Sequence, residues 1–143
     1  MANTVEDTGI DGIGHIGLRV KDMEKSLDFY CKLLGLQKAF TIENDEGKPW
    51  IEYIKICDGQ FLELFYPRPE DPQGPQAQAT NNHICLAVED IHETGRTLEA
   101  AGIELIIPVK GREGGNWQCW CRDPDGNFIE FMYIHPSSFQ ATA

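Results

Sequence analysis

The stretch Gly14-His15-Ile16-Gly17-Leu18-Arg19-Val20-Lys21-Asp22 lies over Asn82-His83-Ile84-Cys85-Leu86-Ala87-Val88-Glu89-Asp90 at an offset of 68. His, Ile, Leu, Val and Asp coincide. The offset then becomes 67, and the matches continue. Gly35 falls on Gly102, Trp50 on Trp117, and Asp58-Gly59 on Asp125-Gly126. Phe61-Leu62-Glu63 falls on Phe128-Ile129-Glu130, and Tyr66 on Tyr133. Matches carried this far by one shift mark an internal duplication.

Each copy reads the same way. His15 to Val20 alternates and is rich in branched residues, which predicts a strand. Asp22 caps a helix with apolar positions at Met23, Leu27, Tyr30 and Leu34, and Gly35 stops it. In the second copy Asp90 and Glu93 open the helix and Gly102 ends it. Three strands follow, at 37–42, 50–57 and 60–66, with partners at 104–108, 117–122 and 127–134. Asp58-Gly59 and Asp125-Gly126 are tight-hairpin signals. The pattern predicts an α+β chain of two tandem βαβββ modules, about 13–66 and 83–134, within a single domain of 10–135. Residues 67–82 hold four prolines and no periodicity, which predicts a linker between the modules. Residues 1–9 and 136–143 read as tails.

Composition narrows the function. The 143 residues are 41% apolar and 24% charged, ordinary for a globular protein. The net charge of −11 and pI near 4.6 argue against nucleic acid as a partner. No apolar run approaches the ~18 residues of a membrane span. The polar, acidic start MANTVEDTGIDG resembles neither a signal peptide nor a transit peptide, so the expected location is the cytoplasm. Cys31, Cys57, Cys85, Cys119 and Cys121 show no zinc-ribbon or redox spacing, and read as reduced structural thiols.

Alternation sorts the strand faces. Ile16, Leu18 and Val20 belong under the helix, and His15, Gly17 and Arg19 on the opposite face. Leu62, Leu64 and Tyr66 go with the helix; Phe61, Glu63 and Phe65 oppose it. The second copy gives His83, Cys85 and Ala87 on one strand and Phe128, Glu130 and Met132 on the other. Each module therefore presents one His and one Glu on a single face. A carboxylate among phenylalanines needs a cation, a proton or a metal to offset its desolvation. If the modules pair these faces, His15, Glu63, His83 and Glu130 converge on one metal site. The plainer alternative is a buried His–Glu hydrogen-bonded network. Glu52 is a third candidate base if its strand turns it inward. Trp50 and Trp117 read as packing residues, and His92 and His135 as surface residues.

Paired βαβββ modules of this kind resemble the vicinal oxygen chelate superfamily, which includes glyoxalase I, methylmalonyl-CoA epimerase, extradiol dioxygenases and fosfomycin-resistance enzymes. The strings HIGLRVKDMEKSLDFYCKLLGL and DPDGNFIEF carry the resemblance, which spans about residues 10 to 135. It implies curved mixed sheets forming an open barrel around one divalent ion. The set His15, Glu63, His83, Glu130 matches the bacterial glyoxalase I pattern. The epimerase pattern usually has Gln where Glu63 stands, and dioxygenase sites use only two His and one carboxylate. Mixed N/O ligation suits Ni, Co, Zn, Mn or Fe.

The resemblance implies a metal-dependent lyase or isomerase that moves a proton through a metal-bound enediolate of a small α-hydroxycarbonyl or thiohemiacetal. Glu130 is then the base and Glu63 the second candidate. Arg19 matches a glutathione-contacting arginine of glyoxalase I. The glutathione-binding asparagine expected after the fourth strand is missing, because Tyr66 is followed by Pro67. Phe61, Phe65, Phe128 and Met132 line the expected substrate face. Lys110 and Arg112, in a predicted loop with Gly114-Gly115, form a basic lip over it. Competing readings are an epimerase or racemase, an Fe(II) extradiol-type dioxygenase, and a non-catalytic resistance protein that binds a small molecule. A homodimer is a further expectation.

Overall fold

The computed structural model describes residues 13–71 and 83–143. The chain divides into two compact units, 1–69 and 70–143. The first holds β1 (His15–Arg19), α1 (Met23–Leu27) running into a π-helical turn (Asp28–Leu33), β2 (Gln37–Glu43), β3 (Pro49–Cys57) and β4 (Gln60–Phe65). The second holds β5 (His83–Ala87), α2 (Ile91–Ala100), β6 (Ile107–Gly111), β7 (Trp117–Arg122), β8 (Phe128–Tyr133) and a short α3 (Phe139–Thr142). The fold is α+β, with two four-stranded mixed sheets ordered β1-β4-β3-β2 and β5-β8-β7-β6, neither closed into a barrel.

The last strand of each module returns to the centre of its sheet and pairs in parallel with the first. Its register sets Gly17 opposite Glu63 and Cys85 opposite Glu130. On the antiparallel side Tyr53 faces Glu63 and Trp120 faces Glu130. The helix-side cores follow the expected alternation. Val20, Met23, Phe29, Tyr30, Ile54, Leu62 and Leu64 are buried in the first unit. Ile91, Leu98, Cys119, Cys121, Ile129 and Phe131 are buried in the second.

Both helices start where the caps predict. Asp22 accepts from the Lys25 backbone N–H at 3.1 Å, and Asp90 from that of Glu93 at 2.9 Å. Gly35 and Gly102, at φ 74° and 79°, follow the helical segments in the left-handed region that an L side chain resists. The first helix departs from the expected uniform α-helix. Twenty residues separate His15 from Gly35, but nineteen separate His83 from Gly102. The extra residue is absorbed as a π-turn, with the Leu34 N–H bonded to the Phe29 carbonyl five residues back at 3.0 Å.

Three expectations need correction. The strand placed at 104–108 is Ile107–Gly111, so Lys110 lies on β6 and not in a loop. Its partner strand is the reason: Lys110 pairs with Gln118 and Gly111 with Trp117, which extends β6 toward the tight turn at Gly114. The C-terminal tail contains α3, capped by Ser138, whose side chain accepts from the Ala141 N–H at 3.2 Å. Strand ends elsewhere shift by a residue or so. Most of the expected linker, residues 72–82, lies outside the described residues. Among the described residues no helix is long and apolar enough to cross a membrane.

Candidate functional site

In the first module His15 Nε2 lies 3.0 Å from Glu63 Oε2. The other carboxylate oxygen of Glu63 accepts a short hydrogen bond from the Tyr53 hydroxyl. Glu63 is buried, at 8% exposure, while His15 is open to solvent. The carboxylate is thus gripped at both oxygens by groups from the strands on either side of it. Tyr53 titrates above its ordinary value, because its proton is held by Glu63 and ionisation would bring two anions together. Gly17 keeps this face open. A Cβ there would stand 3.3 Å from the Phe65 ring and 3.7 Å from Glu63 Oε2.

An aromatic surround completes the first face. Phe40 stacks on Tyr53 at 4.4 Å between ring centroids, and Phe61 meets Tyr53 edge-on at 5.9 Å. Phe65 carries Trp50 on its edge at 6.1 Å and the Arg19 guanidinium 5.8 Å from its centroid. Arg19 therefore occupies the same face as His15 and Glu63, as alternation predicts.

The second module repeats the pair with different support. His83 Nε2 lies 2.9 Å from Glu130 Oε2, and Glu130 is 4% exposed. The Cys85 thiol bonds to Glu130 and titrates up near 11, pushed first by burial of the sulfur and then by the Glu130 charge. Trp120 stands where the first module has Tyr53. Its ring tilts against His83 at 4.5 Å, and its N–H donates to Gln118 Oε1 at 2.8 Å. Phe128 carries the Arg122 guanidinium 4.5 Å from its centroid. The Met132 sulfur accepts from the Asn116 amide at 3.5 Å.

Other candidates fall elsewhere. Glu52 is 1% exposed but belongs with the helix-side residues, away from His15 and Glu63. It accepts from the Thr41 hydroxyl at 2.7 Å and the Tyr66 hydroxyl at 2.8 Å, and pairs with Lys38 Nζ at 3.1 Å. That network leaves Glu52 no role on the His15 face. Burial and Glu52 together push the Tyr66 phenol up to about 12. The two tryptophans are not equivalent: Trp117 packs on His92 at 5.1 Å, whereas Trp50 meets Phe65. His135 is half-buried, and its backbone N–H donates to Asn116 Oδ1 at 2.8 Å. Lys110 and Arg112 are exposed, on and just after β6. All five cysteines are free thiols.

Among the described residues no group of three or more His, Cys, Asp or Glu side chains is arranged to hold a metal by itself. The donors stand as two His–Glu pairs, one in each module. Their chemistry suits a divalent ion of borderline character, since neutral imidazole nitrogens and carboxylate oxygens are its usual mixed ligands. In each pair the imidazole Nε2 and a carboxylate oxygen already lie within hydrogen-bond distance.

A family model described as the Glyoxalase/Bleomycin resistance protein/Dioxygenase superfamily matches residues 12–131. The chain belongs to this superfamily. The superfamily assignment agrees with its relatives. A lactoylglutathione lyase of Haemophilus influenzae is 33% identical over 124 residues, covering 82% of this chain and 89% of that protein. Among solved structures, a glyoxalase family protein from Enterococcus faecalis matches with a TM-score of 0.69 and 23% identity, over 87% of this chain and 98% of that one. The fosfomycin resistance protein FosX from Listeria monocytogenes matches with a TM-score of 0.68 and 20% identity, over 94% and 99%. At these identities the structural matches speak to fold alone.

Proposed function

We propose that His15, Glu63, His83 and Glu130 together hold one divalent metal ion, and that this superfamily member is a lyase or isomerase resembling glyoxalase I. The observation that carries the reading is the repetition of one arrangement. Two buried carboxylates, Glu63 and Glu130, each meet a histidine Nε2 at 3.0 and 2.9 Å, at equivalent places in the duplicated fold. A hydrogen-bonded pair alone is a costly way to use a buried carboxylate, and burying it twice calls for a shared purpose. The similarity to a lactoylglutathione lyase supports the reaction class.

A bound divalent ion supplies Lewis acidity, which polarises a carbonyl and acidifies the neighbouring C–H. The residues of this chain do the rest. Glu130 takes a proton from one carbon and returns it to the next, as a general base and then acid. Glu130 suits this role better than Glu63 because its partners are an imidazole and a thiol, and a thiol is a weak donor. Arg19 binds an anionic group of the substrate, with its guanidinium presented over Phe65. Phe61, Phe65 and Phe40 give the first module's face an apolar lining, and Phe128 and Met132 the second's. The substrate is a small α-hydroxycarbonyl or thiohemiacetal. Pro67 stands where a glutathione contact is expected, so the thiol need not be glutathione.

The test is anaerobic reconstitution of metal-free protein with Ni, Co, Mn, Zn or Fe(II), followed by assay against thiohemiacetals of several thiols. One metal per two His–Glu pairs, with turnover restored without oxygen, is the expected result. A protein that takes up no metal overturns the reading. Oxygen consumption with Fe(II) and a catechol replaces it with an oxygenase.

A further inference from the structure

The two modules differ in the support behind the carboxylate. Tyr53 on β3 donates its hydroxyl to one oxygen of Glu63, while His15 meets the other at 3.0 Å. The second module has Trp120 at the equivalent position, with its N–H committed to Gln118 Oε1. It has Cys85 where the first has Gly17, so its carboxylate is met from the parallel neighbour strand instead. The duplication has therefore kept the His–Glu pair and replaced what holds it.

We infer that Tyr53 is a positioning residue that fixes the Glu63 carboxylate in one orientation for metal ligation, a role the second module does not duplicate. The inference rests on the metal-site reading above. Its physical basis is the cost of ordering. A glutamate has three rotatable bonds, and a ligand not already held must lose that freedom when the metal arrives. The phenol sits against the stacked ring of Phe40 at 4.4 Å and the edge of Phe61 at 5.9 Å, so the donor is itself immobilised. Register places it directly across the ladder from Glu63. Outer partners of ligating carboxylates commonly matter about 10- to 100-fold in metal affinity.

The measurement is Mn(II) titration of the full chain, followed by electron paramagnetic resonance of the free ion, with Mn(II) alone as probe. Wild type, Tyr53→Phe, Tyr53→Trp and Tyr66→Phe are compared, with thermal melts of each. Tyr53→Trp installs the side chain the second module carries at this position. Tyr66→Phe removes another phenol–carboxylate bond, 2.8 Å to Glu52 on the other side of the sheet. The expected result is a Kd raised about tenfold or more in either folded Tyr53 variant and unchanged in Tyr66→Phe. Unchanged affinity in the Tyr53 variants, or equal weakening in Tyr66→Phe, overturns the role of Tyr53 and leaves the metal site standing. No Mn(II) binding by wild type overturns both.

Discussion

His83 Nε2 lies 2.9 Å from Glu130 Oε2, and the duplicated half repeats the contact between His15 and Glu63 at 3.0 Å. The duplication keeps this pair while two residues beside it change, Gly17 to Cys85 and Tyr53 to Trp120. Glu130→Gln keeps the shape and one acceptor oxygen but removes the carboxylate proposed as the base. The expected outcome is turnover reduced at least about a hundredfold, the lower end of what a positioned base contributes, with part of the metal still bound. Steady-state kinetics beside metal analysis of the same sample decide it. Undiminished activity removes Glu130 as the base.

Arg19 presents its guanidinium to the same face as Glu63, braced 5.8 Å from the centre of the Phe65 ring. A charge-assisted hydrogen bond to a substrate anion is worth about 1.5–3 kcal/mol. Arg19→Ala should raise KM for an anionic substrate roughly tenfold or more while kcat changes little, because the anion is held equally in the ground and transition states. A substrate series with and without the anionic group checks this. An equal KM change for both kinds of substrate makes Arg19 structural.

The His–Glu pairs were legible in the sequence because strand alternation and the repeat each pointed to them independently. Tyr53 was not, and a β-bulge explains why. A two-residue hairpin at Asp58-Gly59, continued without interruption, would set Ile54 opposite Glu63. The ladder instead shifts between Lys55 and Cys57, and the shift brings Tyr53 opposite Glu63. The same shift decides Glu52, which turns to the helix side and finds Thr41, Tyr66 and Lys38 there. The π-turn had a visible trace, the change of offset from 68 to 67, but a missing residue does not announce where a helix will absorb it. Lys110 was misplaced for a related reason: strand pairing with Gln118, not local composition, carries β6 to Gly111.

Glu52 supplies a stability prediction separate from the chemistry. Its carboxylate is 1% exposed and satisfied by two hydroxyls and Lys38. Glu52→Ala strips the partner from the part-buried Thr41 and Tyr66 hydroxyl bonds and leaves a void, while half-exposed Lys38 can rehydrate, at a cost of about 1–3 kcal/mol. Chemical denaturation should show the loss, and metal affinity measured on the folded fraction should not move. A variant as stable as wild type would mean the network contributes nothing net.

The DPDGNF turn before β8 is tied by one side chain. Asp123 is 5% exposed and accepts from the backbone N–H groups of Asp125 at 2.9 Å and Asn127 at 2.8 Å. Its second oxygen accepts from the Asn127 amide at 2.8 Å. Asp123→Ala leaves those donors to water or unpaired, at about 1–3 kcal/mol, and should lower Tm by several degrees. Because this turn sets where β8 begins, the same variant should also weaken metal binding through Glu130. A lowered Tm with unchanged metal affinity would separate the turn from the site.

The buried thiols give stability a dependence on alkaline pH. Cys119 and Cys121 are fully buried, and burial pushes them up to about 11 and about 12 from an ordinary value of 9. In the unfolded chain these thiols ionise from about pH 9, so the unfolded state binds fewer protons than the native state between there and the folded values. The sign follows: their contribution is fully present below pH 9 and is lost as pH rises toward 11 and 12. Stability by denaturant melts should therefore fall over that window, and a Cys119→Ala, Cys121→Ala double variant should show a shallower fall, though it starts less stable. At pH 8 a thiol reagent should modify exposed Cys57 in the native protein and leave Cys119 and Cys121 untouched until the chain unfolds. Rapid labelling of Cys119 or Cys121 in the native state would show that the second sheet opens locally, and the alkaline loss of stability would then need another source.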